Sequence, residues 1–400
     1  MKIVYFYQYF TTPKGSYGTR VYEFTKEWVE KGHEVIVVTS VYAKSDIKAT
    51  KFIENQTIDG IQLKIINVKI DNKQSFFKRI YTFLVYSLFS VYYAFTLKCD
   101  VVIASSGPIT VGVPGLIASV FRRKKMVFEV RDLWPEGPIE LGVLKNKMLQ
   151  KISYTFEKWC YKRASLVVAL SPGMQSNILD RFPNTNVISV TNSANIKLFS
   201  SPKQAIELPQ LQGKKYAIYT GNIGMVNNSE LLYRAALKLK EIGREDINIV
   251  LIGDGQLKAA LKKKSENLTT IHFLDLMPKK DLVNYVKNAF VSLIPLNNTP
   301  MLATSSPNKL FESMAASVPV IQSTFGWIKE MLEETQSGYT VNPIDENELV
   351  EKLLFLADNE QGAGAMGKRG YEYAITNFDK DILAKKMLDG IVAISNIKHS

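Results

Sequence analysis

The chain has 400 residues, 46% hydrophobic and 22% charged, a composition that argues against large-scale disorder and leaves room for two or three domains with sizeable cores. Its net charge of +12 is uneven: residues 1–200 hold 27 Lys+Arg against 15 Asp+Glu, and residues 201–400 hold 23 of each. Two cysteines, Cys99 and Cys160, cannot form a disulfide framework and point to a reducing compartment, and three histidines without paired spacing argue against a His-rich zinc site.

Residues 2–6 (KIVYF) read as a first strand. No charged-then-apolar leader precedes it, so no cleaved signal is expected. The loop TTPKGSYGTR over 11–20 leads into a helix at 21–31, Gly32-His33 stops it, and 34–39 (EVIVVT) is a second strand, a βαβ unit. The loop lacks the three-glycine dinucleotide fingerprint. Gly15 and Gly18 are therefore either turn residues or points where backbone comes close to a ligand.

Residues 80–97 carry no charge over 18 positions, enough by length just to span a bilayer. Four tyrosines and four Ser/Thr are spread throughout the run, whereas aromatic belts gather at the ends of a span. A membrane span is the least favoured of three open readings; the others are a helix that packs on the sheet, and a peripheral membrane face that also uses Phe76-Phe77 and the basic run RRKK at 122–125. An anionic membrane would also account for the basic half, and nothing resembling a nucleic-acid module accompanies the charge.

Strand 100–105 ends in Ser-Ser-Gly-Pro, and strand 126–130 (MVFEV) delivers Arg131-Asp132-Leu133-Trp134-Pro135-Glu136 at its carboxyl end, where open α/β sheets carry their chemistry. Arg131 beside Asp132 is either a structural ion pair or a cation that lines a cleft with two acids, Asp132 and Glu136. Such acids could orient an acceptor hydroxyl or take its proton. Strands at 166–170 and 187–190 repeat the strand-then-polar-loop pattern.

The stretch 196–215 mixes Pro, Ser and Lys without periodicity and holds the domain boundary. A second α/β half follows. Strand 216–220 runs into Gly221-Asn222-Ile223-Gly224, a helix covers 229–242, and strand 247–252 runs into Gly253-Asp254-Gly255. A helix at 257–264 and a strand at 270–274 continue the alternation.

The stretch 305–323, SSPNKLFESMAASVPVIQS, lies between apolar runs 291–296 and 318–321 and reads as strand, helix, strand. Ser306 is the expected N-cap and Pro307 the first helical residue. Exposed N–H groups at such an end favour an anion, and Lys309 in the first turn suits a negative group docked there. Asn308, Lys309 and Glu312 share one face. The arrangement reads as a phosphate cradle with a carboxylate one turn deeper, or as a capped surface helix with a chance Lys–Glu pair. Residues 366–400 read mostly as helix, broken near 376–379. The only Asp-any-Asp spacing, at 379–381, lies in that region and not at a strand end.

Gly221-Asn222-Ile223-Gly224, Gly253-Asp254-Gly255 and Ser306-Pro307-Asn308-Lys309-Leu310-Phe311-Glu312 with Met314-Ala315-Ala316 resemble the retaining glycosyltransferases of family 4. The run from Arg131 to Glu136 resembles the O-antigen and capsule branch, which includes proposed N-acetyl-L-fucosaminyl transferases. The resemblance implies the GT-B fold: α/β, two Rossmann-like doubly wound domains facing a central cleft. It divides the chain into an acceptor-binding domain at 1–197, a linker at 198–214 and a nucleotide-sugar domain at 215–378, with a helix at about 379–400 returning to the first domain.

The resemblance further implies a donor site of Gly221, Asn222, Gly253, Asp254, Thr304, Ser305, Ser306, Pro307, Asn308, Lys309 and Glu312. Glu312 would hold the ribose, and Lys309 with the helix amino end the diphosphate. Arg131, Asp132 and Glu136 would be catalytic, and Gly15, Ser16 and Arg20 would belong to an acceptor loop. The donor would be a UDP-sugar and the acceptor a lipid-linked saccharide, with no metal and no other cofactor, in the cytoplasm on the inner face of the plasma membrane.

The chain departs from the family in several places. Thr304 stands where the first of two glutamates is usual, Asn222 and Asn227 replace basic residues, Ser16 replaces the second glycine of a pair, and Arg131 replaces a histidine. Thr304 and the thinned basic loop keep open a sugar-nucleotide-binding partner subunit without catalysis. A GT-B epimerase of a UDP-sugar is a further alternative, although it would want an acid–base set at the donor carbon that these residues do not show.

Overall fold

The computed structural model describes residues 1–71, 74–206, 208, 211, 214–297 and 299–396, so the expected linker at 198–214 lies partly outside the described residues. Two compact units result, Met1–Thr191 with the chain from Lys380 on, and Asn192–Asp379.

Unit 1 opens with β1 (Lys2–Phe6), α1 (Arg20–Glu30), β2 (Glu34–Tyr42), β3 (Ile53–Ile58), β4 (Ile61–Ile70) and α2 (Phe76–Thr96). It continues through β5 (Val101–Ser105), α3 (Gly112–Arg122), β6 (Lys125–Val130), α4 (Glu136–Glu140), α5 (Lys147–Arg163), β7 (Leu166–Ala169), α6 (Pro172–Arg181) and β8 (Val187–Ser189). The strands form one sheet in the order β3-β4-β2-β1-β5-β6-β7-β8. Pairing is parallel throughout except for β3 on β4. The near-continuous apolar text of β1, β5 and β7 is what a strand buried on both faces requires. The β3–β4 hairpin is absent from the expected elements. It turns at Asp59-Gly60, both at positive φ, the turn geometry that matches strand twist.

In α2 the usual polarity of a surface helix is reversed. Thr82, Tyr86, Ser87, Ser90 and Tyr93 are buried, and Tyr86 donates its hydroxyl to the Val38 carbonyl at 2.7 Å. Tyr81, Leu84, Leu88, Tyr92 and Phe95, spaced by three and four, face outward. Among the described residues no helix is long and apolar enough to cross a membrane.

Unit 2 begins with α7 (Ile196–Phe199), β9 (Lys215–Asn222), α8 (Ser229–Glu241), β10 (Ile247–Asp254), α9 (Lys258–Lys264), β11 (Ile271–Leu274) and α10 (Lys279–Asn288). There follow β12 (Val291–Ile294), α11 (Pro300–Ala303), α12 (Asn308–Ala315), β13 (Val320–Gln322), α13 (Trp327–Thr335), β14 (Gly338–Thr340), α14 (Glu346–Asp358) and α15 (Glu360–Asn377). All strands are parallel, in the order β11-β10-β9-β12-β13-β14. The order reverses between β9 and β12, so the crevice beyond their carboxyl ends is where this topology admits a ligand.

The last helix, α16 (Lys380–Asn396), belongs to unit 1. Its Leu383, Met387 and Ile391 join the core around Trp28, whose indole N–H donates to the Ala384 carbonyl at 2.9 Å.

Candidate active site

In unit 2 the two glycine motifs are neighbours across the sheet: Gly221 pairs with Gly253, and Asn222 with Asp254. Gly221 has φ +130°, and a Cβ on Gly253 would lie 1.8 Å from the Gly221 carbonyl oxygen. Glycine at both positions lets the backbone close tightly at the strand ends. Asp254 turns its carboxylate onto the Gly255 N–H at 2.9 Å.

Lys309 reaches this point from α12. Its Nζ lies 3.9 Å from the centre of the Tyr219 ring and 3.5 Å from Asn227 Oδ1. A Cβ on Gly221 would come within 3.4 Å of that Nζ. Burial pushes the ammonium down to about 7, against a smaller upward pull from the Glu312 carboxylate. An anion docked on Gly221 and the first turn of α12 would supply the missing charge.

The cap differs from expectation. Helix α12 starts at Asn308 with Pro307 as cap residue, and among the described residues no side chain caps its first N–H groups. Ser306 is instead strapped to Asn192, its hydroxyl accepting from the Asn192 N–H at 3.1 Å and its carbonyl from the Asn192 side-chain amide at 2.6 Å. Trp327 donates to the Ser305 carbonyl at 2.8 Å and stacks on Phe311. The 305–307 segment is thereby held from two sides, and the amino end of α12 stays uncapped. The Ser305 hydroxyl is buried without a partner.

Glu312 is not poised alone. It forms an ion pair with Lys279 of α10 at 2.7 Å, both side chains nearly buried. Thr304 follows α11 and returns its hydroxyl to the Met301 carbonyl at 2.7 Å. Asn308 is half-buried at the start of α12.

In unit 1, Arg131 and Asp132 follow β6 at its carboxyl end. Among the described residues no ion pair joins them. The Arg131 guanidinium lies over the Tyr7 ring at 5.1 Å, and its backbone N–H donates to the Ser106 hydroxyl. Glu136 does not line an open surface beside them. It opens α4 and pairs with Arg181 at 2.6 Å, an arginine that also binds the buried Glu157. Gly15 and Ser16 sit in a loop braced by Asp46: the Thr12 N–H donates to its carboxylate at 2.9 Å, and the Ser16 N–H donates to the Lys44 carbonyl. Burial works against that carboxylate, but the Thr12 and Thr11 hydrogen bonds hold it below the usual range.

Arg20 departs from the acceptor-loop expectation. It is buried at the start of α1, with Nε 2.9 Å from Glu129 Oε1 and Nη1 on the Thr191 carbonyl. Tyr5 and Ser105 hydroxyls both donate to Glu129 Oε2 at 2.6 Å. This cluster ties β1, β5, β6 and α1 together and gives Arg20 a structural task.

Residues 17–196 match the model described as Glycosyltransferase Family 4, and residues 214–359 match Glycosyl transferases group 1. The chain is a glycosyltransferase of the GT-B fold. Spore coat protein SA of Bacillus subtilis is 22% identical over 299 residues, covering 68% of this chain and 77% of that protein. Sucrose-phosphate synthase of Thermosynechococcus elongatus superposes with a TM-score of 0.74 at 16% identity, over 98% of each chain. Anabaena HepE, solved with UDP and glucose, superposes with a TM-score of 0.69 at 14% identity, over 98% of this chain and all of that one. At such identities these structures establish the glycosyltransferase's fold.

Several residues around this glycosyltransferase's candidate site are missing from the sequence reading. Glu129 stands as an acid inside the apolar strand MVFEV, a mismatch that signals a buried charge with a partner. Lys279, Tyr219 and Asn192 sit on other elements, at separations that no local spacing connects to 306–312.

Proposed function

We propose that the enzyme is a retaining, metal-independent transferase that moves a sugar from a UDP-sugar to a lipid-linked oligosaccharide in the synthesis of a surface polysaccharide, O-antigen or capsule. The sugar is an N-acetylhexosamine or N-acetyl-6-deoxyhexosamine such as N-acetyl-L-fucosamine. The observation that carries the donor half is the Lys309 ammonium, half-buried against Tyr219 beside the closely packed Gly221 and Gly253. A diphosphate there would meet one desolvated cation and the uncapped amino end of α12. In this reading the leaving diphosphate is stabilised by those groups, and the acceptor hydroxyl attacks from the same face of the sugar as the bond to the diphosphate breaks, passing its proton to the departing phosphate. Asp132, exposed at the end of β6, is free of the ion pairs that occupy Glu136 and is the better placed of the two acids to meet an acceptor hydroxyl. The HepE complex, a protein of the same fold that holds UDP and glucose, adds support for a nucleotide-sugar donor.

The acceptor half and a location on the inner face of the plasma membrane rest on α2. Its outward stripe of Tyr81, Leu84, Leu88, Tyr92 and Phe95 is an apolar face left exposed among the described residues. Incubation with a panel of UDP-sugars and a polyprenyl-diphosphate sugar in anionic vesicles tests the whole reading. The expected result is a product with retained anomeric configuration. UDP binding without transfer to any acceptor would make the protein a non-catalytic partner, and an isomerised sugar nucleotide without acceptor would make it an epimerase.

A further inference from the structure

Between α3 and α5 runs an apolar groove of about 650 Å³, lined by Val113, Leu116, Val120, Phe121, Phe156 and Trp159, with Lys162 and Arg163 at its edge. That volume lies within the range of small-ligand sites. The groove is open, since Phe121 is 70% and Trp159 61% exposed. Large aromatic side chains left in water around a concave apolar surface need a cover.

Charge narrows what the cover is. The exposed side of α5 carries Lys147, Lys151, Lys158, Lys162 and Arg163, and its only acid, Glu157, is buried on Arg181. A second copy of this chain would bring two basic faces together. The groove also continues into the outward stripe of α2: the Phe95 and Phe121 rings meet at 5.9 Å, and Arg122 donates to the Ala94 and Leu97 carbonyls at 2.8 and 2.6 Å. The cover therefore has to be apolar, edged with negative charge and broad enough to reach α2.

We propose that the α3–α5 groove takes a hydrocarbon chain of an anionic phospholipid, whose phosphate lies on Lys162 and Arg163, when unit 1 sits on a bilayer. This rests on the membrane reading above and assigns to it a lipid-chain site separate from α2. The chain supplies the apolar contact, and the headgroup answers the basic rim.

Trp159 makes the site observable. The full-length protein is floated with phosphatidylglycerol or phosphatidylcholine vesicles at low and high salt, and tryptophan emission is followed with either lipid brominated on its acyl chains. Trp159→Phe sets the background from Trp28, Trp134 and Trp327. The expected result is flotation with phosphatidylglycerol at low salt, with Trp159 emission quenched by chain bromine. Quenching falls to the Trp159→Phe background when the salt is raised or when Leu116→Gln is introduced, while UDP binding and the melting temperature of Leu116→Gln stay unchanged. Flotation without Trp159 quenching overturns the groove assignment and leaves membrane docking by α2 standing. Absence of flotation overturns both. Equal quenching in phosphatidylcholine overturns the role of the phosphate, and a vesicle-free dimer with Trp159 already shielded assigns the groove to a second copy instead.

Discussion

Lys279 Nζ stands 2.7 Å from Glu312 Oε1, with neither side chain more than 14% exposed. The carboxylate expected to hold the ribose therefore waits in a neutral pair, and Lys309 is left as an uncompensated cation beside Gly221 among the described residues. Removing one member of a buried pair leaves the other charged and unsatisfied. Lys279→Met should lower the stability of unit 2 by about 3 kcal/mol. Adding Glu312→Gln to it should recover much of that loss. Thermal melts of the single and double variants check this, and an unchanged melt for Lys279→Met would mean that the pair does not form in solution.

Lys309→Ala should separate binding from folding. Its ammonium is costly to bury and among the described residues has no carboxylate within ion-pair range, so the variant should melt at or above the wild-type temperature. Transfer to a lipid-linked acceptor should fall by well over tenfold, because a charge-assisted contact to the diphosphate is lost; about 1.4 kcal/mol already corresponds to tenfold. Steady-state assays decide it, and unchanged turnover would remove the phosphate assignment.

The same lysine predicts a pH dependence. Burial lowers its value from 10.5 to about 7, so between those limits the folded protein without ligand binds fewer protons than the unfolded chain. Stability should rise with pH across that window. Binding of UDP should run the other way: the anion favours the charged lysine, so a proton is taken up and affinity falls by roughly tenfold per pH unit above 7. Calorimetry at pH 8 in two buffers of unlike ionisation enthalpy measures the uptake, and none at all would count against the assignment.

Two glycines should respond in opposite directions to a methyl group. Gly253→Ala would set a Cβ 1.8 Å from the Gly221 carbonyl and should cost about 1–3 kcal/mol while weakening UDP binding. Gly364, in α15, has nothing within 4 Å of its Cβ position, so Gly364→Ala should add about 0.5–1 kcal/mol through helix propensity. Denaturant midpoints of both variants provide the check.

The parallel sheets were legible because their strands are short apolar runs bounded by turn residues, and helices intervene at the expected intervals. The hairpin at 53–70 was also announced by Asp59-Gly60, but its strands alternate instead of running apolar, so a search for buried strands passes over them. The cap at Ser306 was misplaced by one residue because a partner far away in sequence, Asn192, claims its hydroxyl. Local spacing brought Lys309 and Glu312 onto one face, yet it could not supply Lys279 or Tyr219, which arrive on other elements. The neighbours of Glu136 in sequence suggest chemistry for it, and the family resemblance suggests an acceptor role for Arg20, yet each is engaged by a residue that only the fold brings near.

The helix α16 lends Leu383, Met387 and Ile391 to a core that is otherwise built from residues before 192. During synthesis, the first unit must wait for the whole of the second to emerge before Trp28 gains its partner at Ala384 and the core is closed. A fragment ending near residue 197 should therefore expose apolar surface and need help to stay in solution. The two units are bound to one schedule, and a stop codon anywhere in unit 2 damages both.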